Sequence, residues 1–506
     1  MANCIILTGG TWNKPEWGKI QRSVGPYRIA TALNEAGYST FVFDYIINFS
    51  IDEIKQVLDK QIGPDTLWVG LSSTFFWFPD HGKTHGNGDI LRIKEMYWTY
   101  DETVQELLSY IKSKNVKIIY GGTKSEFFVG TDPMIDYYVV GLADTSVVPL
   151  TDSIKNKTSL LGSEEISPGV FVVDSRAFPE PAMSEIRTPF WNKEFNILPK
   201  EGLPIELARG CIFKCKFCTY PLLGKKKGTY LRSADEIRDD LMRNYDAYGT
   251  TDYFITDDTV NDDNDKIAEL HRAFKTLPFQ PRISGFFRLD LINRFPEQAD
   301  ILVDMGLVGV FFGIETMHPE SAKSIGKGLH PNKVKDRLYW LTERWKNKVN
   351  IGGGIILGLP HDTLEYFDEL IKWTVEPDFP MQHLQFYPLH LNNMSNTEKP
   401  GMYVSEFNLH PDIYGYEFPG TNNYMNWELP SQGLSYTLVN QVAKEFNKRR
   451  FPLNKVAGFE MIKYLNIGIE LQDLYDLTQV ELVQKYDIDS MNQVRINQYK
   501  ALLGLR

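Results

Sequence analysis

Over the first 155 residues, short apolar runs alternate with stretches whose apolar positions recur every three or four residues. This pattern predicts strands at 4–7, 40–43, 67–71, 116–120 and 137–140 and helices at 27–36, 51–58 and 103–112. Strand and helix in alternation make a parallel sheet with helices on its faces, so residues 1–155 are expected to form an open Rossmann-like domain. Such sheets take ligands beyond the carboxyl ends of their strands. Ser72 and Ser73 follow the third predicted strand with Phe75, Phe76 and Trp77 just behind, Gly121 and Gly122 follow the fourth, and Gly141 follows the fifth. Glycines there leave backbone open to a ligand, and serve equally well in plain tight turns.

Residues 156–200 carry five prolines and little periodicity, which predicts an ordered connector. From residue 201 the alternation resumes, with strands expected at 204–208, 253–256, 282–286, 308–312, 351–357 and 383–389 and helices at 234–248 and 266–276. Six such units make a partial (β/α)6 barrel over residues 201–395, with its chemistry on the loops that follow the strands. Residues 396–506 open on an aromatic, Asn- and Pro-rich stretch and then turn helical, around 436–449 and again toward the end. They are expected to be a helical cap closing the open side of the barrel over a substrate. The fold class is therefore α/β with a mainly helical end.

Composition narrows the partners. The 506 residues carry 54 Lys+Arg against 65 Asp+Glu, a formal charge of -11, so nucleic acid is not the default partner and the basic run at Lys225, Lys226 and Lys227 reads as a solvated loop. No apolar run has membrane length and the start does not resemble a leader, which reads as a cytoplasmic protein without a membrane partner. Four cysteines in so long a chain make no disulfide framework. Cys4 sits in the first apolar strand and reads as a buried, inert thiol.

The other three, Cys211, Cys215 and Cys218, lie together directly after the first barrel strand. Three thiolates on one short loop can bind three irons of a cubane cluster and leave the fourth iron open. The alternative is a structural zinc, but zinc takes four ligands, and the nearest histidine in sequence is His271.

The run Cys-x-x-x-Cys-x-x-Cys, with Phe217 before its last cysteine, resembles the radical S-adenosylmethionine (SAM) superfamily, and the resemblance extends over residues 200–395. It implies a 4Fe-4S cluster on Cys211, Cys215 and Cys218. SAM would chelate the open iron, and a 5′-deoxyadenosyl radical would form by one-electron cleavage. An electron donor such as flavodoxin or ferredoxin is implied with it. On the same resemblance Phe217 would flank the adenine, and Thr256, Asp257 and Asp258 at the second strand end would meet the SAM ammonium, with a helix N-cap as the alternative. Arg288 after the third strand would fork onto the SAM carboxylate, or form a surface ion pair. Glu315, in Gly313-Ile314-Glu315 after the fourth, would bond polar groups of SAM. Gly354, Ile356 and Gly358 on the fifth would let backbone approach adenine.

A Rossmann-like module, then this barrel, then a helical tail is similar to the cobalamin-binding class of that superfamily, as are Lys227-Gly228-Thr229-Tyr230-Leu231-Arg232-Ser233 and Asn426-Trp427-Glu428. In that class cobalamin receives a methyl group from one SAM and delivers it to a carbon activated by the radical from another. The resemblance thus implies a methyltransferase acting on an unactivated carbon of a small molecule or peptide. Its cobalamin contacts would include Ser72, Ser73, Trp77, Gly121, Gly122 and Gly141, with Tyr424 and Trp427 as substrate candidates. The chain departs from the pattern in two places. The loop from Gly9 to Arg22 lacks the Asp-x-His-x-x-Gly motif that supplies a lower axial histidine, and Gly141-Leu142-Ala143-Asp144 replaces a Gly-Glu-Gly-Glu-like turn. His81 and His85 match no ligand spacing. A corrin-free radical SAM enzyme with a vestigial first domain, and a non-catalytic iron-sulfur protein, are the alternatives. A methylthiotransferase would need three further cysteines in the first domain, which has only Cys4.

Overall fold

A computed structural model describes residues 1–9, 20–74, 76–77, 98–99, 102–122, 124–179, 183, 189–220, 223–226, 230–327, 329–395, 404–420 and 425–505, and of 77, 98 and 99 the backbone alone. Two compact units result, one built of 1–204 with 488–506 and the other of 205–487. The last helix, Ile488–Leu502, thus belongs to the first unit, whereas the sequence places it in the C-terminal cap. Among the described residues no helix is long and apolar enough to cross a membrane.

The first unit holds a seven-stranded sheet in the order Thr40–Phe43, Cys4–Leu7, Trp68–Ser72, Lys117–Gly122, Tyr137–Val140, Val170–Asp174, Ser163–Ser167. All neighbours run parallel except the last pair. The first five strands therefore follow a doubly wound order whose direction of winding reverses between Cys4–Leu7 and Trp68–Ser72, and a ligand crevice belongs at that reversal. The final two strands are a hairpin inside the stretch expected to be a connector. Pro168 and a left-handed Gly169, φ 79°, make its turn, and its residues are too exposed to show an apolar alternation. Local chemistry sets the helices: Ser50 and Glu53 form a reciprocal capping box ahead of Ile51–Gln61. Cys4 is fully buried, and burial pushes its thiol up to about 12, as an inert core residue requires.

At the heart of this unit lies an ion pair with no solvent exposure, Arg22 Nε to Glu201 Oε1 at 2.7 Å. Arg22 also donates to the carbonyls of Phe195 (3.1 Å) and Asn196 (2.9 Å), and Tyr45 donates to Glu201 at 2.7 Å. The guanidinium lies 5.2–5.5 Å from the ring centres of Tyr27, Tyr45 and Tyr499. Tyr27 donates to Asp44 at 2.8 Å, and the backbone N–H of Asp44 donates to the Tyr499 hydroxyl at 3.1 Å. Two charges taken out of water need such a set of partners.

The second unit is the six-stranded barrel, in chain order Leu203–Ile205, Asp252–Ile255, Arg282–Phe287, Leu307–Glu315, Asn350–Leu357, His383–Pro388. The boundary between the units falls inside its first strand. Alternate residues face outward and inward. Tyr253, Ile255, Val310 and Phe312 are buried on the helix side, where Phe312 stacks on Trp345. Phe254, Phe286 and Phe311 form a chain of edge-to-face rings on the inside.

The tail does more than cap. Phe459, half-buried, inserts against Phe286 and Phe311, with ring centres 5.1 and 5.2 Å away. Gly458 fits because Gly309 has no side chain: a Cβ there would lie 2.2 Å from the Gly458 carbonyl oxygen. Asn350 Nδ2 donates to Val456 O (2.9 Å) and Lys455 N to Gln382 O (2.8 Å), so residues 455–461 close the barrel at the amino ends of its strands. This plug is additional to the cap expected from sequence, and the glycines that admit it lie toward the strand starts.

His383, at the start of the sixth strand, is buried by this plug and has Nδ1 3.0 Å from Lys455 O. Burial holds its pKa below the ordinary 6.5, so the folded state keeps it neutral. The unfolded chain then binds the extra proton once the pH falls below about 6.5, and the contribution of this residue to stability falls with it. We expect His383→Asn to be less stable than the parent at pH 8 but to lose less of its thermal midpoint between pH 7 and pH 5. Parallel slopes for the two proteins would refute this.

Candidate functional site

Gly210, at φ 99°, turns the chain out of the first barrel strand and into the cysteine loop. Cys211 is buried with Sγ 3.7 Å from Thr259 Oγ1, and Cys215 and Cys218 are half-buried. Backbone bonds brace the loop from several sides: Cys218 N to Cys215 O at 3.0 Å, Lys216 N to Ile325 O at 3.2 Å and Phe407 N to Lys216 O at 3.1 Å. The last of these brings the tail to the loop, where Glu406 also pairs with Lys216 at 3.6 Å. Burial pushes the Cys218 thiol up to about 11, and the nearby Cys215 and Cys211 add to the rise. Among the described residues no three His, Cys, Asp or Glu side chains are gathered as ligands of one metal ion. A cubane does not require that, since each thiolate binds a different iron, and a loop of three free thiols has the donor chemistry for it. Phe217 is half-buried between two of those ligands.

At the second strand end the three expected residues part company. Thr256 continues the ladder, donating from N to Ile205 O at 2.9 Å. Asp257 is buried, accepting from Leu207 N at 2.8 Å and from Lys266 at 3.2 Å, so it ties the first strand to the second rather than facing a ligand. Lys266, equally buried, also reaches Asp262 at 3.2 Å. Asp258 is the exposed one of the three, with Thr256 half-buried; the protein around it still pushes its carboxyl up to about 7, partly offset by the Tyr220 hydroxyl. Tyr220 and Lys266 are partners that the sequence did not single out, since neither lies in a motif.

Arg288, expected to be free for a carboxylate, has its fork engaged. Nε and Nη2 bond Asp290 at 3.0 and 2.7 Å, and Nη1 points to Cys215 Sγ at 3.5 Å. Glu315 stands at φ 66°, where a register shift against Gly354 and Ile355 re-aims it, and Lys327 donates to its Oε1 at 2.8 Å. One cation does not exhaust a carboxylate, which has about four lone-pair sites. Gly354 lies on the inner face, buried under two rings: a Cβ there would come within 3.1 Å of Tyr387 and 3.2 Å of Phe311, and Ile356 follows on the same face half-buried. Gly358, at φ 89°, is instead packed by the tail, with Trp427 2.5 Å from a built Cβ and its carbonyl accepting from Tyr416 at 2.8 Å. Trp427 is accordingly not a substrate contact: it is 1% exposed and donates Nε1–H to Leu389 O at 2.9 Å.

In the first unit, Ser72, Gly121 and Val139 lie side by side in register at the strand ends. Ser73 is buried, accepting from Lys124 N at 3.1 Å, and Gly122, at φ 120°, passes so close that a Cβ would lie 2.7 Å from Ser73 Oγ. Gly141 turns at φ 91°. These glycines thus have close-packing reasons of their own. Thr8, at the end of the central strand, is buried with its hydroxyl unpartnered. Most of the loop from Gly9 to Arg22, Phe75, the Trp77 side chain, His81, His85, Lys227-Gly228-Thr229 and Tyr424 lie outside the described residues.

Residues 205–374 match the family model of the radical SAM superfamily. An uncharacterized methyltransferase of Pyrococcus horikoshii is 24% identical over 302 residues, covering 56% of this chain and 62% of the relative. Cytidylyl-2-hydroxyethylphosphonate methyltransferase of Streptomyces wedmorensis is 29% identical over 156 residues, 30% of this chain and 28% of that protein. The chain thus spans less than two thirds of either relative. In fold it is similar to the radical SAM methyltransferase TsrM of Kitasatospora setae, solved with cobalamin and a [4Fe-4S] cluster: TM-score 0.61, 14% identity, 96% of this chain and 99% of that one.

Proposed function

We propose, from the premise that residues 205–374 are a radical SAM domain, that this chain is a cobalamin-dependent radical SAM methyltransferase acting on a small molecule or peptide. The observation that carries the reading is the loop of three free thiols at the carboxyl end of the first strand of a parallel barrel. Cys211, Cys215 and Cys218 would hold the cluster. When bound, the cluster and SAM supply one-electron cleavage of a carbon-sulfur bond, and a corrin supplies a methyl carrier. The chain's own part is binding and orientation. Asp258 offers an acceptor to a cationic amine, and Glu315 is held in place by Lys327. The plug at Phe459 keeps water out of the barrel from the far end. Thr8, with its unpartnered hydroxyl, and Ser72 and Gly121 beside it at the winding reversal would take the corrin. The methyl-transfer reading draws on the names of the relatives; the electron donor, of the flavodoxin or ferredoxin kind, and a cytoplasmic setting belong to the same proposal.

The test is anaerobic. Cluster-reconstituted protein given SAM and a strong reductant is expected to form 5′-deoxyadenosine, and protein titrated with hydroxocobalamin is expected to retain about one corrin after free corrin is removed. 5′-Deoxyadenosine without corrin retention would mean a corrin-free radical SAM enzyme. Neither product nor retention would end the reading.

A further inference from the structure

We infer that Arg288 is a positioning residue that sets the reduction potential of the cluster by donating Nη1–H to the sulfur of Cys215; this rests on the cluster assignment above. The geometry is built for one purpose. Nη1 lies 3.5 Å from Cys215 Sγ, within reach of an N–H to sulfur bond. The guanidinium lies over the Phe213 ring, 3.7 Å from its centre, and Phe213 belongs to the cysteine loop itself. Asp290 grips the other side of the fork at 3.0 and 2.7 Å. The backbone is clipped as well: Asn261, fully buried, accepts from Arg288 N at 2.8 Å and donates to Arg288 O at 3.0 Å, and donates to Gln298 at 3.1 Å. An arginine held from four sides, with its side chain 9% exposed, is not a mobile clamp waiting for a carboxylate.

The consequence is electrostatic. On reduction the cluster gains one electron, and the added negative charge spreads onto its sulfurs. A donor aimed at a ligand sulfur stabilises the reduced form more than the oxidised one and raises the potential. Asp290 acts in the opposite sense, because its carboxylate neutralises much of the charge that the sulfur meets.

Two variants test this by redox titration of the SAM-free protein, followed through the paramagnetic signal of the reduced cluster. In Arg288→Gln the ratio of reduced to oxidised cluster at a fixed poise is expected to fall about tenfold, equivalent to ~59 mV for a one-electron couple. In Asp290→Asn it is expected to rise. Arg288→Lys, which keeps a charge but not the fork, is expected to fall between Arg288→Gln and the parent. A parent-like potential in Arg288→Gln overturns the inference, including the case in which SAM affinity alone is lost, which would make Arg288 a carboxylate clamp. If Arg288→Gln does not fold, Asp290→Asn decides: a raised potential supports the inference and an unchanged or lowered one overturns it. A parent protein that binds no cluster would instead refute the reading of the preceding subsection.

Discussion

Cys215→Ala is expected to abolish both the iron-sulfur absorption of reconstituted protein and 5′-deoxyadenosine formation, the latter to the level of a protein-free control. A methyl group cannot bind iron, and three ligands are the minimum that leaves one open iron on a cubane held by this loop. The change also removes the sulfur that faces Arg288 Nη1. Cys4→Ala is the matched control: its thiol is buried in the other unit and should leave iron content and turnover as they are in the parent. Cluster retained in Cys215→Ala, measured as iron and sulfide per chain, would remove that residue from the ligand set.

The second large effect is on stability. Arg22→Met takes from the buried Glu201 carboxylate the cation that pairs with it at 2.7 Å, leaving Tyr45, the Leu198 N–H and the weaker field of Arg495, and should cost about 3 kcal/mol of the stability of the first unit. Denaturant unfolding followed by near-ultraviolet dichroism would read it. Adding Glu201→Leu should recover part of the loss, because the double variant no longer buries that carboxylate. A single variant within about 1 kcal/mol of the parent would mean that water or another group reaches Glu201.

The barrel and its chemistry were the legible part. Six apolar strands recur at regular intervals, and the cysteine run, Gly313-Ile314-Glu315 and the Gly354 stretch each sit at a strand end, so periodicity and motif agree. Five of the seven strands of the first sheet were legible too, to within a residue or two each. What the sequence hid were tertiary decisions. Asp257 and Asp258 are identical in type and adjacent, yet one is spent on Leu207 and Lys266 and the other is exposed, a difference fixed by which way each points at the strand end. Trp427, offered as a substrate candidate, is buried because Gly358 leaves room for its ring. For Arg288 the sequence left a carboxylate clamp and an ion pair both open; the turn folds Asp290 back onto the fork, so the ion pair forms, buried rather than on the surface. The hairpin within 156–200 escaped because an exposed edge strand has no apolar rhythm.

The placement of the helix Ile488–Leu502 with the first unit bears on how the chain is made. On a ribosome adding about 5–20 residues per second, Arg22 and Glu201 emerge roughly a quarter of a minute to a minute before Tyr499, the ring that completes their enclosure. All of 205–487 is synthesised in that interval. The usual order, in which the N-terminal body is complete first, does not hold for this chain: all of 205–487 is made before the helix Ile488–Leu502 that belongs to the first unit.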